Sequence, residues 1–423
     1  MKILLAIVLI LSSVDIFANG FDQYFENRTL RIDYIHAGDA TTESYFIDEL
    51  KSEPFWGGTR ENFIDTMSYG RYIFKAFDIA TNKLIYSHGY STLFDEWQTT
   101  LEAKQTRRSF SETVIMPFPK KSVRVEFYSR NHKGGYDKEF QYIVDVKSYF
   151  ISPERKLEFP VNDVYISGDS KNCIDIVILP EGYTAPEMNK FKKDCQKFVD
   201  ALFSFDPYNK NKKKFNIRCV MAPSPESGVD IPGNNIWKQT LLNANFYTFD
   251  SERYLMTSDN KSLRDMAANA PYDQIYIIAN TPKYGGGGIF NDYCVSVNSN
   301  SSAAKIFVHE FGHGFAGLAD EYFDSSTSYN DFYPLDVEPW EPNLTTMVDF
   351  GRKWKGMLPP GTPVPTKPDE SNPLRLGVYE GGGYVAKGMY RPADGCMMRT
   401  FNGNEFCDVC KKSIQKMIDF YCR

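Results

Sequence analysis

Two histidines stand four residues apart, at 309 and 313, and Glu310 directly follows the first. On a helix of 3.6 residues per turn, positions i and i+4 share one face, so His309 and His313 can present imidazole nitrogens to one ion. These donor types suit zinc, which at a reactive site takes three protein ligands and keeps a fourth position for water. Glu310 then stands beside the ion, placed to take a proton from that water without being a ligand. A third ligand must come from further along. Gly317 offers the helix a left-handed stop, and a sharp turn there swings Asp320 and Glu321 back towards the histidines. Asp320 comes first after the turn and its short carboxylate suits close approach, so it is the expected third ligand. Glu321 is the alternative ligand, or a residue that orients the site from behind.

The elements that must position these groups are legible on both sides of them. Ser301 or Ser302 can cap the histidine helix, with Ala303, Ile306, Phe307 and Val308 packing its buried sides. Upstream, Gly285 to Gly288 carry a high entropy cost on ordering, so they permit either close backbone approach or motion. Residues 293–297 are expected as an edge strand bordering the site. Gly287, Gly288 and Tyr293 are its substrate-strand candidates, where an extended peptide adds by main-chain pairing. Residues 175–179 form an almost unbroken apolar run, as in a strand covered on both faces. Thr184, Pro186 and Glu187 place a capping hydroxyl, a first-turn proline and a capping-box carboxylate ahead of a helix over residues 188–203. Further strands at 215–221 and 274–279 complete an α/β layer pattern.

Residues 21–150 read differently. Short runs of Tyr, Phe, Ile and Val at 29–35, 69–78, 111–116, 122–129 and 139–146 predict strands, and the alternation of Val123, Val125 and Phe127 gives one of them a wet and a dry face. Such strands suggest a sandwich. His36, His88 and His132 lie here without metal-like spacing, and the region is assigned no chemistry. The expected fold is α+β/α/β: a β-sandwich over residues 19–150, a proline-punctuated connection over 151–165, and an α/β domain over 166–423.

With 423 residues, 42% of them hydrophobic, the chain can bury real cores, and a formal charge of −6 argues against nucleic-acid or anionic-membrane partners. The basic run Lys210 to Lys214 reads as a solvated loop. Residues 1–18 read as a signal peptide: Lys2, an apolar stretch over 3–11, then Ala18 before a cut. That stretch is too short to span a bilayer, which needs about twenty residues. The mature chain is expected to be exported, without a transmembrane segment. All eight cysteines follow residue 172, and export favours disulfides, although eight cysteines allow 105 pairings. Cys407 and Cys410 can instead be half of a structural zinc site. A helix over 405–421 would separate Cys410 from Cys422 by about 18 Å, too far to bond.

Residues 309–322 resemble the active-site signature of the bacterial immunoglobulin A peptidase family of zinc metallopeptidases, relatives of the metzincins. Residues 175–184, 226–230, 285–288 and the run Cys396, Met397, Met398, Arg399 resemble further landmarks of that family. The likeness covers most of residues 160–423, and 21–150 resembles its accessory β-domain more weakly. The metzincin pattern H-E-x-x-H-x-x-G-x-x-H puts glycine and a third histidine where Ala316 and Ala319 stand here. The loop is instead one residue longer and ends in a carboxylate. The resemblance implies a methionine flooring the metal at Met398, with Met397 the alternative, and a nearby tyrosine, Tyr390, stabilising an oxyanion. It implies one catalytic zinc ion in a metzincin-like domain of a secreted endopeptidase acting on proteins or peptides, host or dietary glycoproteins among them. Glu310 would take the proton of a zinc-activated water and pass it to the leaving amine. The competing readings are a binding or adhesion protein on a peptidase scaffold, and a zinc amidase.

Overall fold

The structure, a computed structural model, describes residues 20–153, 157–323, 332–401 and 405–422. The expected signal peptide at 1–18 lies outside the described residues. In chain order, a short helix α1 (Gly20–Tyr24) precedes β1 (Phe25–Gly38), β2 (Glu43–Glu53), β3 (Tyr72–Asp78) and β4 (Leu84–Tyr90). After α2 (Leu93–Gln98) come β5 (Arg108–Pro119), β6 (Val123–Arg130), β7 (Tyr136–Val144) and β8 (Ile151–Ser152). These strands form two four-stranded sheets, β5-β1-β2-β8 and β4-β3-β6-β7. Alternating residues of both, Ile32, Tyr34 and Met116 from one and Phe74, Val125 and Phe127 from the other, meet in a single core. The two faces therefore make the sandwich that the strand pattern calls for.

The second layer is a six-stranded sheet of order β13-β14-β12-β10-β11-β9, built from β9 (Val161–Tyr165), β10 (Ile174–Glu181), β11 (Phe215–Val220), β12 (Gln274–Ala279), β13 (Gly286–Gly288) and β14 (Cys294–Val297). The four central strands are parallel, and both edges are antiparallel. Ile174, Ile176 and Ile178 point into a core shared with α3 (Met188–Leu202), α5 (Ala303–Ala316) and α6 (Asp408–Tyr421). Val177 and Leu179 point the other way, onto Leu263 and Met266 of α4 (Asn260–Ala267). Burial on both faces explains the unbroken apolar run. The capping box forms: the Glu187 carboxylate accepts from the Thr184 amide at 2.9 Å, and one 3-10 turn leads into α3. A hairpin of β15 (Tyr379–Gly382) and β16 (Val385–Arg391) completes the described elements.

The connection at 151–165 is strapped down at both ends, since β8 joins the sandwich and β9 joins the second sheet. Charged groups close the seam between the two layers. Arg31, fully buried, forks onto Asp33 at 2.8 Å and reaches Asp265 of α4 at 2.6 Å, and Lys51 meets the same Asp265 at 2.6 Å. Main chain joins them too, the Ser91 amide donating to the Phe290 carbonyl at 2.9 Å. The sandwich is thereby docked beside β13. Among the described residues no helix is long and apolar enough to cross a membrane.

The disulfides expected from export are not formed. All eight cysteines are free, and seven are buried. Cys195 and Cys219 pack as small apolar groups in the core, and the Cys396 and Cys410 sulfurs lie 3.7 Å apart, whereas a disulfide requires about 2.05 Å.

Candidate active site

The histidine helix α5 lies against the glycine strand, and this explains the glycines. A Cβ on Gly288 would stand 2.4 Å from the Glu310 carbonyl oxygen and 3.1 Å from the His313 Cβ. One on Gly286 would meet a Glu310 carboxylate oxygen at 3.1 Å. Only a bare backbone lets the helix come this close. The edge strand is β13, with β14 one position further in. This corrects the placement of the edge at 293–297. Gly287 and Gly288 line the cleft, but Tyr293 does not. Its side chain is buried, and its hydroxyl accepts from the Thr257 amide and donates to the Thr257 carbonyl, an internal brace in place of a substrate contact.

The start of α5 also differs from expectation. Ser302 holds the N-cap position without a side-chain capping bond, and the Asn300 carboxamide oxygen accepts the Ser302 amide at 2.9 Å instead. At the other end Gly317 adopts φ 60° and stops the helix, as its residue type predicts. The chain then turns back. Asp320 Oδ1 lies 3.0 Å from His309 Nε2 and 3.4 Å from His313 Nε2, and the two Nε2 atoms are 3.1 Å apart.

Each imidazole is fixed from behind. His309 Nδ1 donates to the Met397 carbonyl at 3.1 Å, and His313 Nδ1 donates to the Leu318 carbonyl at 2.5 Å. Those bonds turn both Nε2 atoms towards Asp320, where each can present a lone pair to an ion. Two imidazole nitrogens and a carboxylate oxygen thus converge on one point, an arrangement that a metal ion satisfies when it displaces the proton His313 would otherwise share with Asp320. Tetrahedral ligands at about 2.05 Å from zinc would be separated by about 3.3 Å, which matches these spacings. The residues present fit the ion.

Electrostatics agree. Burial opposes charge on Asp320, but His313 and His309 hold its carboxyl well below the usual range. Burial alone would lower the His313 pKa, and the Asp320 and Glu310 carboxylates reverse this and hold it up to about 9. The pocket attracts positive charge. Glu310 comes within 4.8 Å of both imidazoles. Burial pushes its pKa up, against the pull of His309 and His313, making it a stronger proton acceptor than a solvated carboxylate.

Glu321 faces away from this set. Its carboxylate accepts from the Asn343 carboxamide at 3.0 Å and lies 3.3 Å from Cys410 Sγ. Met398 is fully buried under α5, its sulfur 2.9 Å from where a Cβ on Gly312 would stand, between the two histidines. Met397 contributes the carbonyl that fixes His309. Tyr390 sits in β16, its main chain paired with Thr345, and it is not among the residues lining the cleft. Tyrosines that do reach Asp320 are Tyr322, which also lines the cleft, and Tyr384 in the β15-β16 turn, whose hydroxyl donates to Asp320 Oδ2 at 2.5 Å. Its signal was the run Gly381 to Gly383 before it. The turn requires positive φ at Gly381, Gly383 and Tyr384, and the bend lets the Gly383 amide donate to the Asp320 carbonyl at 2.9 Å. Asn343, in a stretch without pattern, clamps the Ala319 main chain on both sides, at 2.8 and 2.9 Å.

The constellation floors a cleft of about 920 Å³. One wall is the glycine strand with Arg253 and Tyr284; another comes from the sandwich, through Arg71, Asp95 and Arg130. The region assigned no chemistry therefore shapes the site. A family model described as IgA Peptidase M64 matches residues 163–372 and 367–418, and one described as Peptidase M64 N-terminus matches residues 20–141. No curated protein matches the chain.

Proposed function

The chain belongs to the IgA peptidase M64 family of metallopeptidases, and on that premise we propose that it is an exported, zinc-dependent endopeptidase of extracellular proteins, host or dietary glycoproteins included. The observation that carries the reading is the close triangle of His309, His313 and Asp320 in the floor of an open cleft, with Glu310 beside it. Zinc supplies, when bound there, a Lewis acid that acidifies water and polarises a carbonyl. With the Met397 and Leu318 carbonyls accepting from Nδ1, His309 and His313 would present Nε2 to that ion. Glu310 accepts the proton of the attacking water, and the same carboxyl delivers it to the leaving amine. Gly287 and Gly288 offer their main chain to an extended peptide along the cleft, whose volume holds several residues. Met398 under the two histidines supports a metzincin-like reading of the domain. The leader-like composition of residues 1–18 supports export.

The test is Glu310→Gln. It should retain the metal content of the native protein while losing hydrolysis of a denatured protein, read as new termini by mass spectrometry. Undiminished cleavage by this variant would overturn the mechanism.

A further inference from the structure

Behind the ligand turn lies a second cluster that the catalytic reading does not use. Cys396, Cys407, Cys410 and Glu321 bring three sulfurs and a carboxylate oxygen within 4.8 Å of one another, and all four residues are buried. The Cys396 and Cys410 sulfurs are 3.7 Å apart, and Cys410 Sγ is 3.3 Å from Glu321 Oε1. Tetrahedral thiolates at about 2.3 Å from zinc stand about 3.8 Å apart, whereas disulfide sulfurs stand about 2.05 Å apart. The spacing is that of ligands around an ion. Glu321 Oε2 has no hydrogen-bond partner although the residue is fully buried, and an orphaned buried carboxylate oxygen is costly unless a cation takes it. Cys407 stands at the N-cap of α6, separated from Cys410 by two residues, the short spacing common to structural zinc sites. Its amide donates to the Cys396 sulfur at 3.3 Å, a bond that stabilises a thiolate.

We propose that Cys396, Cys407, Cys410 and Glu321 form a second, structural zinc site. Three thiolates select zinc over the harder divalent ions, and four protein ligands leave no open position for chemistry. Its ligands reach three separate parts of the catalytic machinery. Glu321 directly follows the ligand Asp320, Cys396 directly precedes Met397 and Met398, and Cys407 and Cys410 open the helix that packs against α5. The site clamps the third-ligand turn to the methionine turn, parallel to the bond from the Glu321 amide to the Met398 carbonyl at 2.8 Å. It stands independently of the catalytic site, which shares none of its ligands.

The experiment measures metal and thiols on the full chain, purified without chelator. The native protein should carry two zinc equivalents, His309→Ala/His313→Ala one, and Cys407→Ser/Cys410→Ser one. Cobalt substitution covers the case in which the cysteine variant fails to fold. In the otherwise intact His309→Ala/His313→Ala protein, a thiolate-to-cobalt charge-transfer band should persist, because the catalytic site holds no sulfur. Absence of that band would overturn the proposal. So would a denatured, unreduced native chain in which two of these three cysteines resist alkylation, the mark of a disulfide. Loss of the catalytic metal alone would refute the peptidase reading and leave the structural site standing.

Discussion

Gly288→Ala tests the link between fold and site most directly. The new Cβ would lie 2.4 Å from the Glu310 carbonyl oxygen, where ordinary contact needs about 3.4 Å, so strand and helix must part by about 1 Å. No rotamer relieves the clash, because the obstructing atom is helix backbone. Overpacking of this kind costs about 3 kcal/mol at its upper range. His309, His313 and Asp320 all lie on the helix side of the gap, so the three ligands should move as one body and metal affinity should hold. A substrate lying along Gly287 and Gly288 is displaced from Glu310, and a 1 Å misplacement costs on the order of 100-fold in kcat/KM. Gly356→Ala is the control, since a Cβ there meets nothing within 4 Å and its φ is not positive. Urea unfolding, zinc affinity against a competing chelator, and kcat/KM on a denatured protein measure the three effects. Native stability and native kcat/KM in Gly288→Ala would refute the close-approach argument.

Tyr384→Phe removes the hydroxyl that donates to Asp320 Oδ2; zinc affinity should fall about 10- to 100-fold by chelator competition, with activity largely restored at saturating zinc. Burial holds Glu181 up to about 7, against donors from Thr240, Ala244 and Leu242. Its folded pKa exceeds its ordinary 4.5, so the folded chain binds more protons between those values and stability should fall as pH rises from about 4.5 to 7, by about 3 kcal/mol in all. Glu181→Gln should lack that slope, so the difference between native and variant urea profiles should fall from about pH 4.5 to 7, and parallel profiles would contradict it.

The sequence announced the parts of this molecule whose local pattern and tertiary role agree. The HExxH helix, its Gly317 stop, the Thr184 capping box and the 174–181 strand each carry a short-range signal that the fold obeys. Where the signal is tertiary it was silent. β2 (Glu43–Glu53) was not expected, because its charged residues mask a strand whose register is set by partners on other elements. Glu43 pairs with His36, Lys51 with Asp265, and Glu53 with Tyr272. Sequence pattern puts the edge at 293–297 rather than at β13 because glycines have low strand propensity. Their β-pairing follows from the closeness of α5, which no local pattern encodes. Nearness in sequence to the methionine turn points to Tyr390, whereas Tyr384 reaches Asp320 through a hairpin whose one local signal is the run Gly381 to Gly383. Export argues for disulfides, the spacing of Cys407 and Cys410 for zinc, and only the spatial clustering of Cys396 and Glu321 with them joins the four residues.

Asp320 and Glu321 are adjacent in sequence but face opposite sides of the turn, which no local pattern encodes. Neighbouring side chains on an extended segment point to opposite sides. Here the main chain does likewise: the Asp320 and Tyr322 carbonyls accept from Gly383 and Tyr384 of one hairpin, while the Glu321 amide between them donates to Met398 on the other side. Bonded on both flanks, the segment cannot rotate to exchange its carboxylates. Asp320 is held towards the histidines and Glu321 towards the three cysteines, so each acid meets its own set of ligands. The extra residue that departs from the metzincin spacing therefore does more than exchange a histidine for an aspartate. It creates a two-sided turn in which one carboxylate serves the cleft and the next ties that turn to the core behind it. On the proposed reading, an anionic third ligand would make zinc a weaker Lewis acid than a third imidazole would. The Tyr384 hydroxyl, by drawing charge from Asp320 Oδ2, works against that loss.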